Sequence, residues 1–217
     1  MRRRRICLGP TLLALGAAAC TTTHVVRPLG RGNAALNASL GGPLVAVSGI
    51  PTATPIVTAG AAYGVRDDLE AFAHADATAG AFGVLHLEPG AAFHPIVRGG
   101  GAVPTLTTAA SVHLLTNFSD TRVYPQATVA GAWHVGRRHL VYAGVDAAVA
   151  FTRATRMLAG PLVGGELRVG RLGLSLESQW LAPYYDVAPT APDWLSPGSR
   201  GYLTVLFGAT YYLGGTP

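Results

Sequence analysis

Residues 161–180 read PLVGGELRVGRLGLSLESQW. In an extended strand, successive side chains point to opposite faces. Val163, Leu167 and Val169 then share one side with Leu172, Leu174, Leu176 and Trp180, while Glu166, Arg168, Ser175, Glu177 and Gln179 take the other. An apolar row backed by a polar row at period 2 is the pattern of a strand with one dry face. Val169-Gly170-Arg171 breaks the run in two, so the stretch predicts a tight hairpin.

The same punctuation recurs along the chain. Val65-Arg66-Asp67-Asp68, Val97-Arg98-Gly99-Gly100 and Val135-Gly136-Arg137-Arg138 precede it, with the valines 32, 38 and 34 residues apart. That spacing is one hairpin per step. Working outward, period 2 predicts about ten strands, near 32–44, 56–65, 69–79, 84–95, 103–115, 122–136, 139–152, 161–169, 172–182 and 201–213. Longer connections are expected near 45–55, 79–83, 116–121, 153–160 and 183–200. Short turns on one side and longer loops on the other match the periplasmic and extracellular ends of a membrane barrel.

The two faces sharpen the reading. One collects Leu36, Leu40, Val57, Val129, Val145 and Phe207 with the residues above, and no charged residue falls on it in any of the ten segments. The other holds six of the eleven acidic residues, Glu70, Asp76, Glu88, Asp146, Glu166 and Glu177, and five of the seven histidines. Charged residues are 12% of the chain and hydrophobic residues 49%. A soluble domain carries about 25% charged residues, so little remains here to solvate a water-facing exterior. No stretch after residue 20 offers the ~18 unbroken apolar residues of a membrane helix. The fold expected is all-β: a closed antiparallel up-and-down transmembrane β-barrel of about ten strands, with eight or twelve as the neighbouring even counts. A soluble periplasmic β-barrel lipoprotein is the alternative that shares this alternation.

The N-terminus reads as an export signal. Arg2 to Arg5 form a positive region, Ile6 to Ala19 an apolar one, and Ala17-Ala18-Ala19 end it before Cys20. Removing residues 1–19 takes four of the sixteen basic residues, all Arg, and lowers the formal charge from +5 to +1. Basicity therefore gives no ground for a nucleic-acid partner. Cys7 leaves with the signal, so Cys20 has no partner in its own chain. The expected organisation is a signal peptide over 1–19, a periplasmic tether over 20–31 and the barrel over 32–214.

Two resemblances attach to these residues. Ala17-Ala18-Ala19-Cys20 is similar to the lipobox of bacterial lipoproteins, with Ala17 where Leu is usual, and implies lipidation at Cys20. Thr21 is compatible with sorting to the outer membrane. Residues 32–214, and the closing run from Gly201 to Leu213, resemble small bacterial outer-membrane barrels, whose last strand is read by the barrel-insertion machinery. Here Gly214 to Pro217 follow that strand. The resemblance implies an outer-membrane location, contact with outer-membrane lipid and lipopolysaccharide, and a monomer. An architecture of this kind does not by itself carry a function.

Inside a narrow barrel, ionisable groups must pair. Glu70, His86, Glu88, Asp146, Glu166, Arg168 and Glu177 are expected to form a polar network in the lumen, with Glu166 or another acid on Arg168. That network either braces the lumen or lines a cation-preferring thread. Some barrels of this class are enzymes acting on lipid A or peptide at the extracellular rim. His74 with Asp76, and Ser111 with His113, have the His-x-Asp and Ser-x-His spacing such chemistry could use. These spacings arise readily in any strand with polar alternation, so no catalytic residue, metal site or cofactor is assigned. The 183–200 connection, with Tyr184, Tyr185 and Trp194, is the first candidate for a partner contact. The expected role is structural, binding or narrow-pore service in the cell envelope, without enzymatic activity.

Overall fold

The structure is a computed structural model that describes residues 23–24, 26–97, 102–136, 138–151, 155–187 and 193–214. The signal region 1–19 and Cys20 lie outside the described residues. Among the described residues eleven strands form: β1 Ala34–Val47, β2 Ile50–Ala53, β3 Ile56–Arg66, β4 Leu69–Asp76, β5 Leu85–Ile96, β6 Thr105–Thr116, β7 Thr121–Val135, β8 His139–Ala150, β9 Arg156–Val169, β10 Leu172–Asp186 and β11 Arg200–Tyr212. Each strand of the barrel pairs antiparallel with its neighbour, and β11 pairs with β1 from Ala35↔Tyr212 to Pro43↔Thr204. That last ladder closes a ten-strand barrel and removes every open edge from it. β2 stands apart as the eleventh strand.

The expected faces are the observed ones along the strands, except that His134, expected inward, is exposed beside the turn after β7. Leu40, Val129, Val145, Leu176 and Phe207 point outward, each about half exposed. Glu70, His86, Glu88, Asp146, Glu166, Arg168 and Glu177 are all buried in the interior. A soluble barrel is apolar within and polar without; this one is inverted. Only small apolar clusters lie inside. One gathers Ala130, Ala132, Leu140, Tyr142 and Leu162, and another gathers Ala35, Ala62 and Tyr212 beside Phe72.

Where the chain departs from the expected boundaries, local chemistry explains it. The third predicted strand, drawn to residue 79, ends at Asp76, whose carboxylate accepts the Ala79 N–H and caps a single helical turn, α1, Ala77–Ala81. The loop drawn over 45–55 contains β2. At Gly41, φ is +141° and a β-carbon would strike the backbone of Val205. Beyond this close approach β1 leaves β3, whose register ends at Gly41↔Ile56, and pairs with β2 from Leu44↔Ala53 to Val47↔Ile50. β9 begins five residues before the predicted start, because its register with β8 runs on to Ala150↔Arg156. Its register with β10 ends at Gln179↔Leu162, so Pro161 stands where a strand has lost one neighbour and the missing N–H is tolerated. In the Arg66–Leu69 turn, Arg66 donates to both oxygens of Asp68 at 2.9 and 2.7 Å. That hydrogen-bonded guanidinium holds the Asp68 carboxyl below its usual range.

The largest departure concerns the tether. A periplasmic tether is expected over 20–31; its described part runs inside the barrel. Thr23, Val26, Arg27 and Leu29 are buried, with Leu29 2% exposed. The physical reason is charge. The strands place six carboxylates in the interior and one arginine, Arg168. Buried carboxylates need donors, and this segment supplies them.

Candidate functional site: a polar lumen closed by the N-terminal segment

The segment hydrogen-bonds three buried carboxylates; at its base the Arg31 N–H also donates to Asp67 Oδ1 at 3.1 Å, and His24 Nε2 lies 3.9 Å from Asp146 Oδ1. His24 donates its backbone N–H to Glu177 Oε2 at 3.1 Å, and its ring Nδ1 lies 3.0 Å from Glu177 Oε1. Arg27 donates through Nε to Glu166 Oε1 at 2.9 Å and through Nη2 to the Arg138 carbonyl at 2.8 Å. The Leu29 N–H donates to Glu70 Oε1 at 2.5 Å. Leu29 then packs on Ala35, Ala62 and Tyr212, and Val26 on the Ala130–Tyr142 cluster. Burying each of these side chains stabilises the seat by about 1.5–3 kcal/mol.

Strand position gives the direction. Glu70 is the second residue of β4, just past a short turn, and Glu166 lies three residues before the end of β9. Glu177 is the sixth residue of β10. The segment therefore runs from the short-turn rim at Asn33 up to mid-barrel at His24.

Above His24 the lumen is filled by a continuous relay. Thr128 and Gln126 donate to the two oxygens of Asp146, both at 2.6 Å. With its amide committed as donor, Gln126 offers its oxygen to His113 Nε2. His113 Nδ1 then shares a hydrogen bond with His86 Nε2 at 3.0 Å, and the two rings stack. His86 Nδ1 faces Asp76 at 3.6 Å. A parallel branch joins Asn37 to His74 at 3.0 Å, His74 to Glu88 at 3.4 Å and Ser111 to Glu88 at 2.9 Å. Glu177 completes the centre, accepting Tyr142 Oη at 2.8 Å and the Gln179 amide at 2.7 Å.

The structure brings His74, Asp76, Ser111 and His113 into one network, but not as nucleophile and base. The Ser111 hydroxyl is donated to a carboxylate. His113 is held between His86 and Gln126, and Asp76 serves α1 and His86. One arrangement that sequence reading passed over does follow the hydroxyl–imidazole–carboxylate order. Thr107 Oγ1 lies 2.9 Å from His94 Nδ1, and His94 Nε2 lies 3.2 Å from Glu70. These residues sit on three different strands, so no local spacing signals them. His94 is wholly buried and Leu29 caps Glu70, which leaves no room for a substrate. Arg168 also departs from expectation: it lies over the Tyr212 ring at 4.2 Å and donates to the Gly170 carbonyl. Glu166 instead pairs with Arg27 at 2.9 Å and accepts Tyr212 Oη at 2.7 Å.

No protein-family model matches the chain, and no curated protein matches it. Among solved structures, the translocator domain of autotransporter NalP from Neisseria meningitidis is similar to this chain, at 10% sequence identity, with 94% of each chain covered and a TM-score of 0.49.

Beside the seated segment the free space is small. A cavity of about 30 Å³ lies between the segment and the relay, bordered by His24, Val26, Phe72, His74, Glu88 and Ser111. That is room for about one or two waters. Among the described residues no cluster of His, Cys, Asp and Glu has metal-holding geometry. At the other mouth, Val187 and Tyr202 pack with Leu181, and Trp194 meets Tyr202 edge-on at 5.3 Å. The described part of the 183–200 connection thus folds onto the rim. Leu195 donates to Leu44 O and Ala46 to Asp193 O, so β1 beyond Gly41 is held on both sides.

Backbone room under the segment comes from glycine. A β-carbon at Gly208 would overlap Thr23 and Ser175. Gly208→Val is therefore expected to unseat the segment and lower stability by about 1–3 kcal/mol. Ala209→Val, one residue on and on the outward face, is expected to do neither. The midpoint temperature of the barrel's gel-mobility shift on heating measures both.

Proposed function

We propose that the chain is an outer-membrane β-barrel of the bacterial envelope whose lumen is closed by its own N-terminal segment, serving a structural or binding role. The observation that carries this is the inversion of the barrel. Its outward belt holds Leu40, Val129, Val145, Leu176 and Phe207 without a charge, and its interior holds the acids and histidines. An apolar belt that encircles a protein is far larger than the few hundred Å² a soluble monomer exposes. Lipid covers such a surface; water does not. This favours the membrane reading over a soluble periplasmic barrel.

The relay and the seated segment together argue for closure, so the narrow-pore role is set aside for the seated state. They also argue against the Ser111–His113 pair as a rim nucleophile and base, since the Ser111 hydroxyl donates to Glu88. Lipid at Cys20 belongs to the same proposal, as do outer-membrane lipid and lipopolysaccharide as the surrounding partners and the monomer as the working form. Purified chain inserted into a planar bilayer is expected to show no steady current. Ohmic single-channel steps from the wild-type chain would overturn closure.

A further inference from the structure

We propose that the lumen is a receptor for an extended cationic peptide and that the N-terminal segment around His24, Arg27 and Leu29 is its resident ligand. The inference rests on the inverted barrel but not on its membrane location. Three features mark a built site. First, Glu70, Glu166 and Glu177 stand on three strands at increasing depth, and two of them accept backbone N–H groups, those of Leu29 and His24. Contacts to main chain are the sequence-tolerant part of peptide recognition, while the Arg27 pair with Glu166 supplies selectivity for a cation.

Second, the walls are carved to the segment. A β-carbon at Gly64 would overlap the backbone of Gly30, and one at Gly208 would overlap Thr23. Small side chains, Ala130 and Ala132 under Val26 and Ala35 and Ala62 under Leu29, leave the space that the two apolar anchors fill. Third, the segment is separable. It adds no strand to the sheet, and its main chain meets barrel main chain at its base, where Gly32 donates to Gly64 O at 2.8 Å. A ligand held by side chains can leave without opening a ladder. On departure it exposes an acidic groove that accepts another basic extended peptide.

The test uses the full chain with His24→Ala and Arg27→Ala together, its folding judged by heat-dependent gel mobility. A fluorescent peptide of the natural sequence of residues 21–31 is added. Saturable binding to this variant is expected, with binding at least roughly 10-fold weaker to the wild type, whose site is filled. Adding Glu166→Gln and Glu177→Gln is expected to weaken peptide binding by roughly 10-fold or more. A folded variant that does not bind, or binding indifferent to the two carboxylates, overturns the proposal. Should the variant not fold, thermolysin, which cleaves on the amino side of apolar residues, gives the answer on the wild-type chain. Cleavage before the buried Val26 is expected to be roughly 100-fold slower than in the heat-unfolded chain; equal rates overturn it. A wild-type chain recovered as a water-soluble protein would undo the outer-membrane reading and leave the peptide result standing.

Discussion

Val145→Arg is expected to destabilise the chain in lipid by about 2–4 kcal/mol, with loss of most of the heat-shifting folded band. Val145 lies mid-strand in β8, faces outward at 53% exposure and pairs across the sheet with Val129. In a bilayer the guanidinium must be desolvated, or the bilayer thinned around it. In water the same substitution, at an exposed site without specific partners, changes stability within about 0.5 kcal/mol. The two environments thus give opposite answers for one residue. Folding yield into lipid vesicles, compared with Val145→Leu, measures it.

Glu177→Leu is expected to have the larger effect, about 3–5 kcal/mol. Glu177 is wholly buried and accepts four donors: the His24 backbone N–H, the His24 ring, Tyr142 Oη and the Gln179 amide. Leucine fills the space but strands all four groups in the barrel interior, where each unpaired group is costly. Glu177→Gln keeps an oxygen for Tyr142 or His24 and is expected to lose less than half as much. Urea unfolding of the barrel in detergent micelles orders the two variants. Equal, small losses would mean that water already reaches the centre of the lumen.

The barrel was legible because its governing rule is local. Strand alternation has period 2, and one face carries no charge, so Leu172, Leu174 and Leu176 declare the outside while Glu177 and Gln179 declare the inside. The short Val-Arg turns then fix the hairpins one after another. Elements set by single capping or bending events were less visible. Asp76, the last residue of β4, also caps the helical turn that follows, and the turn of β1 away from β3 lies where Gly41 comes close to Val205.

The candidate site was half legible for a related reason. Which residues face the lumen follows from alternation, and all seven predicted network members are there. Which of them meet does not follow, because partners lie across the barrel. As the one mid-strand arginine, Arg168 is expected to meet Glu166 or another acid; on one strand face Arg168 and Glu166 are neighbours, yet Tyr212 takes Arg168 and Arg27 takes Glu166. The N-terminal segment shows the limit most clearly. His24-x-x-Arg27, set among Val25, Val26, Pro28 and Leu29, looks like any linker. Its meaning comes from three carboxylates on β4, β9 and β10 that only the closed barrel brings into reach.

The most direct test of the central claim is gel migration of the membrane fraction, boiled and unboiled, for the wild-type chain and for Cys20→Ala. The expected result is a membrane-bound protein whose mobility shifts on boiling in both, because the apolar belt holds the barrel in the bilayer with or without a lipid at residue 20. A Cys20→Ala chain that becomes water-soluble and migrates identically before and after boiling would contradict it.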